Sequence, residues 1–591
     1  MFLVFFVGFF SANSQNLFLA AEYMKTGEPE KALEIYRNWY EHNRRFNPEV
    51  YNNVLRIYLN KGRYGEALAW IESMPSSARP YMREADRYHV LRLMKRSDEA
   101  GKSEQKLMHA VRRMPSAAVG IANRLRQYQY LDTAARLLRE ALRERELPGI
   151  YLSLGNIYAE QGRIADMMDA YVHALLANEG YFYYLTGVLS KYLTSDPRGR
   201  YNLALKKQIA ARLAESPSPA LLKLMQWVYV REKNYPKAFI QWRALYEAGE
   251  ASAAEALELA ESALENNAPE TAERILRFLT ENSDTGQKSR DKALWLLSRS
   301  EAVRLPINDA LLNRWKKRAG AIKTPVYKQR LYALVADKLT EGFRDLKEAR
   351  RLIDSLAAKE TTRRGLALWR EKKADIYLYE KQFDRAALEY TLLREDFPSE
   401  ELNYRALYKI ALASFFGGDF EWAHTVLRPL KKASGKKIAN DALYLDFIIV
   451  SNRNKSDTLQ RGLREFAALY FYYYTHSYDS LLTKLSRKSE RNPDDIIYDD
   501  ILYLKARVML HTGHEAETEP LWQEILTLKT DKIYREEALY RLGIIFEKHK
   551  KDPAQAKKYF ERLLTLYPQG YWFEEAQKHY RRIIEQNQNL P

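Results

Sequence analysis

The stretch AEYMKTGEPEKALEIY, residues 21–36, decides how the chain is read, because its pattern returns as LRIYLNKGRYGEALAWI at residues 55–71. Tyr23/Tyr58, Gly27/Gly62 and Ala32/Ala67 are each 35 positions apart. The small-residue position continues at Ala100, Ala134 and Met167, in steps of 33, 34 and 33. Five repeats therefore fill about residues 13–180. Within each, apolar residues recur at three and four positions, break at a glycine such as Gly27, Gly62 or Gly162, and resume. That is two helices joined by a turn, the glycine taking a left-handed backbone conformation at little steric cost. Ala32, Ala67 and Ala134 then lie where the second helix presses closest to the first, and Pro48, Pro115 and Pro148 open the following repeat, where a helix tolerates proline.

These residues resemble the tetratricopeptide repeat (TPR). The best single match is Tyr151, Leu154, Gly155, Tyr158, Gly162, Tyr171 and Ala174, with Met167 in place of the usual alanine. Leu542, Gly543, Phe546, Ala556, Phe560, Leu563 and Pro568 match nearly as well, with one extra residue placed in the turn at Lys550–Pro553. The resemblance implies an all-α fold of helix-turn-helix repeats stacked into a right-handed superhelical solenoid, with a concave groove lined by the first helix of each pair. Ala238 and Ala272 mark two further repeats in 216–283. In 341–591 the period lengthens: Ala349, Ala386 and Ala423 are 37 apart and Thr518 to Ala556 is 38. Segments 181–215, 284–340 and 434–497 read as helical but degenerate, either eroded repeats or hinges. FPSEELNYRALYKIALASFFGGDFEWAHTVL (397–427) and YPQGYWFEEAQKHYRRI (567–583) are similar to TPRs of bacterial envelope proteins.

The N-terminus supports the same compartment. MFLVFFVGFF, residues 1–10, is too short to span a bilayer and fits the apolar region of a signal peptide, with Ala12 and Ser14 suitably small for cleavage before Gln15. A basic segment before it is missing, and a first buried helix is the alternative reading. Residues 1–14 are thus an expected signal peptide, and the protein is expected to be periplasmic or otherwise exported. Later in the sequence there is no apolar run of 18 or more, so no transmembrane helix is expected.

Among 591 residues there is no cysteine, which excludes disulfides, thiolate metal sites and cysteine nucleophiles. No phosphate-binding loop or hydrolase elbow occurs, and the HTGHE stretch (511–515) is not a zinc-protease motif. No catalytic residue, cofactor or metal ligand is therefore assigned. The function read here is a non-enzymatic protein-protein interaction scaffold or adaptor of the bacterial envelope. Two alternatives are a fixed structural part of a periplasmic machine such as a flagellar-motor collar, by analogy of fold alone, and a basic RNA-binding helical-repeat protein.

The resemblance implies that the ninth repeat position faces the groove, which names Arg56, Asn123, Asn156, Trp227 and Asp375 as partner-binding candidates. Amide and guanidinium groups there suit an extended peptide backbone. The fifth position holds Leu17, Asn52, Val119 and Leu152, which departs from the lysine clamp of chaperone-binding TPRs. The net charge is +17, concentrated in 51–150 (19 basic, 11 acidic) and 301–350 (12 basic, 6 acidic). Arg79, Arg83, Arg87, Arg112, Arg113, Lys316, Lys317 and Arg318 are the basic-patch candidates. Such a patch favours an acidic protein or an anionic membrane surface, whereas a solvated outer face is the simpler explanation. No RNA-binding signature accompanies it, so nucleic acid is disfavoured. The 42 tyrosines fall mostly on core positions of the repeat, but Tyr181–Tyr184 and Tyr470–Tyr474 are too continuous for one helix face, leaving some of each run for a groove-side contact.

Overall fold

The computed structural model describes residues 12–75, 80–341, 345–431, 437–453, 460–486, 495–528 and 533–588. Among them are thirty-two α-helices and no strand. The chain divides into two compact units, Met1–Ser289 and Arg290–Pro591. No described helix is long and apolar enough to cross a membrane. The apolar run 1–10 lies outside the described residues, and the expected cleavage point before Gln15 falls inside the helix Ala12–Lys25.

In the first unit the helix pairs begin as Ala12–Lys25 with Pro29–Asn43, Pro48–Asn60 with Tyr64–Ser73, Pro80–Leu93 with Ser97–Arg113, Ala118–Gln127 with Leu131–Glu144, and Pro148–Glu160 with Ile164–Ala177. Each pair turns at a residue with positive φ: Gly27, Gly62, Lys95, Gln129 and Gly162, followed by Lys233 and Asn267 in later pairs. The next residue's N–H bonds the carbonyl five positions back, as from Glu28 to Tyr23 and Arg63 to Tyr58 (2.9 Å each), which closes the first helix. Five residues after every such turn comes a buried position: Ala32, Ala67, Ala100, Ala134, Met167, Ala238 and Ala272. The spacing seen in the sequence is thus the spacing of one repeated turn. At four of these seven turns a lysine, glutamine or asparagine, not glycine, holds the strained conformation.

Segment 181–215 is a helix pair, Phe182–Leu189 and Arg200–Glu215, without the tight turn. Its longer loop is fixed by buried Asn202, which accepts from the Thr194 N–H (3.2 Å) and donates to the Thr194 carbonyl (3.0 Å) and to Glu232 (3.0 Å). Leu185, Leu189, Leu205 and Ile209 join the same core as the regular repeats.

The second unit contains the pairs Pro325–Thr340 with Leu346–Ala357, Arg363–Tyr379 with Phe383–Asp396, and Glu400–Gly417 with Phe420–Lys431. After the single helix Lys437–Ser451 come Arg461–Tyr474 with Tyr478–Ser486, Tyr498–His511 with Glu519–Thr527, Tyr534–Ile544 with Pro553–Leu566, and last Phe573–Gln588. Lys381, Gly418, His476, Gly513 and Lys551 hold the left-handed turn, and Ala386, Ala423, Leu481, Thr518 and Ala556 are buried five residues later. A regular repeat therefore lies within 434–497, its frame masked in the sequence by His476 at the glycine position and Leu481 at the alanine position. The extra residue near 550 is not in the turn. It is absorbed one turn earlier, where Ile545–His549 widens into a π-helix and the Asp552 N–H bonds the Phe546 carbonyl six positions back.

One arrangement departs from a linear stack. Helix Arg461–Tyr474 packs not only on its sequence neighbours but also on the two pairs that precede Lys437–Ser451: Phe471 meets Phe383 edge-on (centroids 5.7 Å apart), and Lys409 donates to the Tyr474 hydroxyl at 2.6 Å. Helix Lys437–Ser451 places Tyr444 near Tyr470 and Tyr503, and Phe447 near Tyr534, against the first helices of three later pairs. The aromatic run 470–474 thus makes inward contacts within the unit. Of the other run, Tyr183 and Tyr184 are 85% and 49% exposed.

Candidate protein-binding grooves

In the first unit the first helices of successive pairs pack side by side, Pro80–Leu93 on Ala118–Gln127 and Ala118–Gln127 on Pro148–Glu160. Asp86, 1% exposed, ties three of them together. It accepts from the Tyr51 hydroxyl (2.7 Å), the Tyr128 hydroxyl (2.7 Å) and the Arg124 guanidinium (2.6 and 3.2 Å). Arg124 also donates to Asn52 at 3.0 Å. His89 stacks on Tyr128 with centroids 3.8 Å apart. Burial, then the Asp86 charge, pushes the Tyr51 and Tyr128 phenols well above their ordinary value. Burial, aided by Arg124 and opposed by Asp86, lowers His89 to about 4. This rigid polar floor backs a cavity of about 370 Å³ lined by Asn52, Asn53, Arg56, His89, Arg124 and Tyr128.

Arg56 is exposed at this cavity and donates to Asn53 at 2.9 Å. Asn123 is exposed on the first helix Ala118–Gln127. Asn156 is half-buried and accepts from the Tyr171 hydroxyl at 2.8 Å, which leaves its amide N–H groups as the donors for a partner. Trp227 is half-buried with the Arg231 guanidinium 5.2 Å from its ring. The four candidates of this unit stand on four first helices, and only Arg56 lines the cavity. Reasoning from repeat position missed Asp86, His89 and Tyr128. The available signal was Asp86 standing 35 positions after Tyr51 in the same frame.

Asp375, in the second unit, is 14% exposed. It accepts from the Tyr390 hydroxyl (2.5 Å) and Lys409 (3.0 Å), and Lys372 stands 3.8 Å away while also pairing Asp337 at 2.6 Å. Burial works against its charge, but Lys409 and Lys372 outweigh it and hold the carboxyl below its ordinary value. Its contacts are internal ones, set beneath the Tyr474 hydroxyl that Lys409 also reaches.

Of the basic-patch candidates, several are engaged in pairs within their own unit. Arg79 lies outside the described residues. Arg83 donates to the Met74 carbonyl (3.0 Å), Arg87 reaches Ser103 (2.9 Å) and Glu72 (3.5 Å), and Arg112 pairs Glu140 (2.5 Å). Lys316 pairs Glu348, and Arg318 pairs the buried Glu301 at 2.6 Å. Arg113 and Lys317 are exposed. Part of the charge counted in the sequence is thus paired between neighbouring helices. Of the HTGHE stretch, His511 stacks on Tyr478 (5.5 Å) and His514 bonds Thr512 (3.0 Å), with the Gly513 turn between them.

Residues 537–570 match the family model described as tetratricopeptide repeat. No curated protein sequence matches the chain. Among solved structures it is similar to Naa15/Naa10 bound to HypK-THB, at 12% identity over 98% of this chain and 87% of that one, with a TM-score of 0.30. It is similar also to the APC/C hetero-tetramer Cut9-Hcn1 (12% identity, 97% and 96% covered, TM-score 0.23) and to the P58(IPK) TPR domain (14%, 75% and 99%, TM-score 0.19). Residues 537–570 are thus similar to the tetratricopeptide repeat, and the same left-handed turn with a buried residue five positions later recurs in other helix pairs of both units.

Proposed function

We propose that the chain is a non-enzymatic scaffold or adaptor of a bacterial cell envelope, exported from the cytoplasm, that holds extended peptides or helices of partner proteins against the first helices of its repeats. The observation that carries this is the cavity over Asp86. Exposed Arg56 and half-buried Arg124 offer donors at its surface, and the buried carboxylate beneath keeps the wall rigid before a partner arrives. The N-terminal apolar run supports export.

Gentle crosslinking in native cells, followed by recovery of the tagged chain, tests the reading. Envelope proteins should be attached to the wild type and diminished in Arg56→Glu/Asn123→Ala. Recovery of cytoplasmic ribonucleoprotein instead would overturn both place and role, and mass spectrometry of the mature N-terminus checks export separately.

A fixed structural part of a larger machine is the second reading, supported by the internal packing of the Arg290–Pro591 unit, whose inward aromatics contact the chain itself. Stable stoichiometric partners favour it, and many exchangeable ones favour the adaptor.

A further inference from the structure

Across the first helices Pro325–Thr340, Arg363–Tyr379 and Glu400–Gly417 runs a groove of about 780 Å³. Four guanidiniums line it, Arg330, Arg363, Arg364 and Arg405, all on exposed residues, against two carboxylates, Glu371 and Glu401. Both acids are engaged by one arginine: Arg405 pairs Glu371 at 2.8 Å and stands 3.7 Å from Glu401. Arg330, Arg363 and Arg364 are left as the uncompensated charge of the groove lining. Arg363 donates to the Asp396 backbone carbonyl at 2.9 Å, which fixes the guanidinium without cancelling its charge. Two long helices also begin at this groove, capped by Thr362 and Ser399. Its floor is apolar, formed by Val326, Leu368 and Leu402 with half-buried Phe397.

We propose that this groove docks an extended acidic segment of a partner protein, with an apolar side chain seated between its carboxylates. The proposal rests on the scaffold reading but not on the Asp86 cavity. Three helices spaced by about 10 Å span roughly 20 Å, the length of about six extended residues. Guanidinium forks match carboxylates in a bidentate manner, and an aliphatic floor suits Leu, Ile or Val. A single-stranded nucleic acid fits less well, because it needs open aromatic faces for its bases. Phe397, the one aromatic of the lining, already has Arg363 and Arg370 within 6.0 and 5.9 Å of its ring centre.

The test is fluorescence anisotropy with the full chain and a labelled seven-residue peptide of Glu and Asp around one central Leu. Saturable binding is expected, weakened by added salt and by changing the central Leu to Ser. Arg363→Glu/Arg364→Glu should weaken it by about tenfold or more, Arg364→Gln by less, and Lys207→Glu, at an exposed position of the first unit, not at all. Both arginines are exposed, so an unchanged circular dichroism spectrum and melting temperature should accompany the loss. No saturable binding, or equal binding by the double variant, would overturn the proposal. So would an oligouridylate that displaces the peptide and binds more tightly through the same arginines. If envelope partners are crosslinked in cells while the peptide fails to bind, the scaffold reading stands and this one falls.

Discussion

The His476 imidazole Nδ1 lies 2.9 Å from the Glu341 carboxylate, although 135 positions separate the two residues. His476 occupies the left-handed turn of its own repeat, and Glu341 follows the helix Pro325–Thr340, so the contact joins repeats that a linear stack would keep apart. The hydrogen bond from His476, then that from Lys338 at 2.5 Å, holds the Glu341 carboxyl at about 2, below its ordinary value of 4.5. A carboxylate depressed in the folded state adds stability that is complete above the unfolded pKa and is lost as pH falls from there through the folded one. The wild type should therefore lose more stability than Glu341→Gln between pH 4.5 and 2. Thermal melts of both proteins across that range check the sign, and identical pH slopes would remove the contact from the account.

His89 gives a second acid sensitivity, nearer neutrality and in the first unit. Its pKa is lowered from 6.5 to about 4 by burial, so the unfolded chain takes up the proton first and stability falls as pH drops through that interval. With allowance for solvent access, the effect is about 1–2 kcal/mol. His89→Phe, which keeps a ring beside Tyr128, should remove it. Melts at neutral and mildly acid pH, with and without the substitution, measure the difference.

Removing the carboxylate of Asp86 should cost more than any surface change in the same repeats. Asp86→Ala leaves Arg124, Tyr51 and Tyr128 without their shared acceptor, a loss of roughly 3 kcal/mol or more for a buried charged hub. Urea unfolding followed by tryptophan fluorescence reports it. The accompanying change at the cavity should appear as weaker capture of partners, even at temperatures where the variant remains folded.

Gly155 and Gly543 are required by contact. A Cβ built on Gly155 would stand 2.3 Å from the Tyr171 ring, and one on Gly543 would stand 2.5 Å from the Phe560 ring. Since Tyr171 and Phe560 are themselves buried, the rings have no room to withdraw. Gly155→Ala and Gly543→Ala should each destabilise by about 1–3 kcal/mol, whereas Gly65→Ala, with open space around the site, should not. Denaturation midpoints of the three variants decide this.

The left-handed turns allow an opposite change. Lys95 and Lys381 sit at φ +57° and +59°, where a side chain is strained. Lys95→Gly and Lys381→Gly should stabilise by about 0.5–1 kcal/mol, and Gly62→Val, at φ +68°, should destabilise by more. Paired melting curves test both directions.

These contrasts show what could be read from the sequence. The period was legible because a turn needing left-handed backbone and a helix crossing needing a small residue recur at fixed distance, as Gly27 with Ala32 and Gly62 with Ala67. It faded where each requirement was met by other means. Lys95 and Gln129 accept the backbone strain, Leu481 fills a position usually held by alanine, and Asn202 replaces a tight turn with a hydrogen-bonded loop. Repeat position located Arg56 and Asn123 on exposed helix surface. It could not show that Asp375 is held by Tyr390 and Lys409, because those two partners come from other helices. Nor could a charge count separate the arginines paired across helices, such as Arg112 and Arg318, from those lining an open groove, such as Arg364.

The packing of helix Arg461–Tyr474 onto earlier repeats bears on how such a protein can change over generations. A stack in which each repeat touches only its neighbours has the freedom to gain or lose one by duplication or deletion and still close its interfaces. The second unit does not. Inserting one helix pair between Lys409 and Phe471 would carry Tyr474 and His476 past Lys409 and Glu341, so this half should hold its number of repeats constant while its surface residues drift.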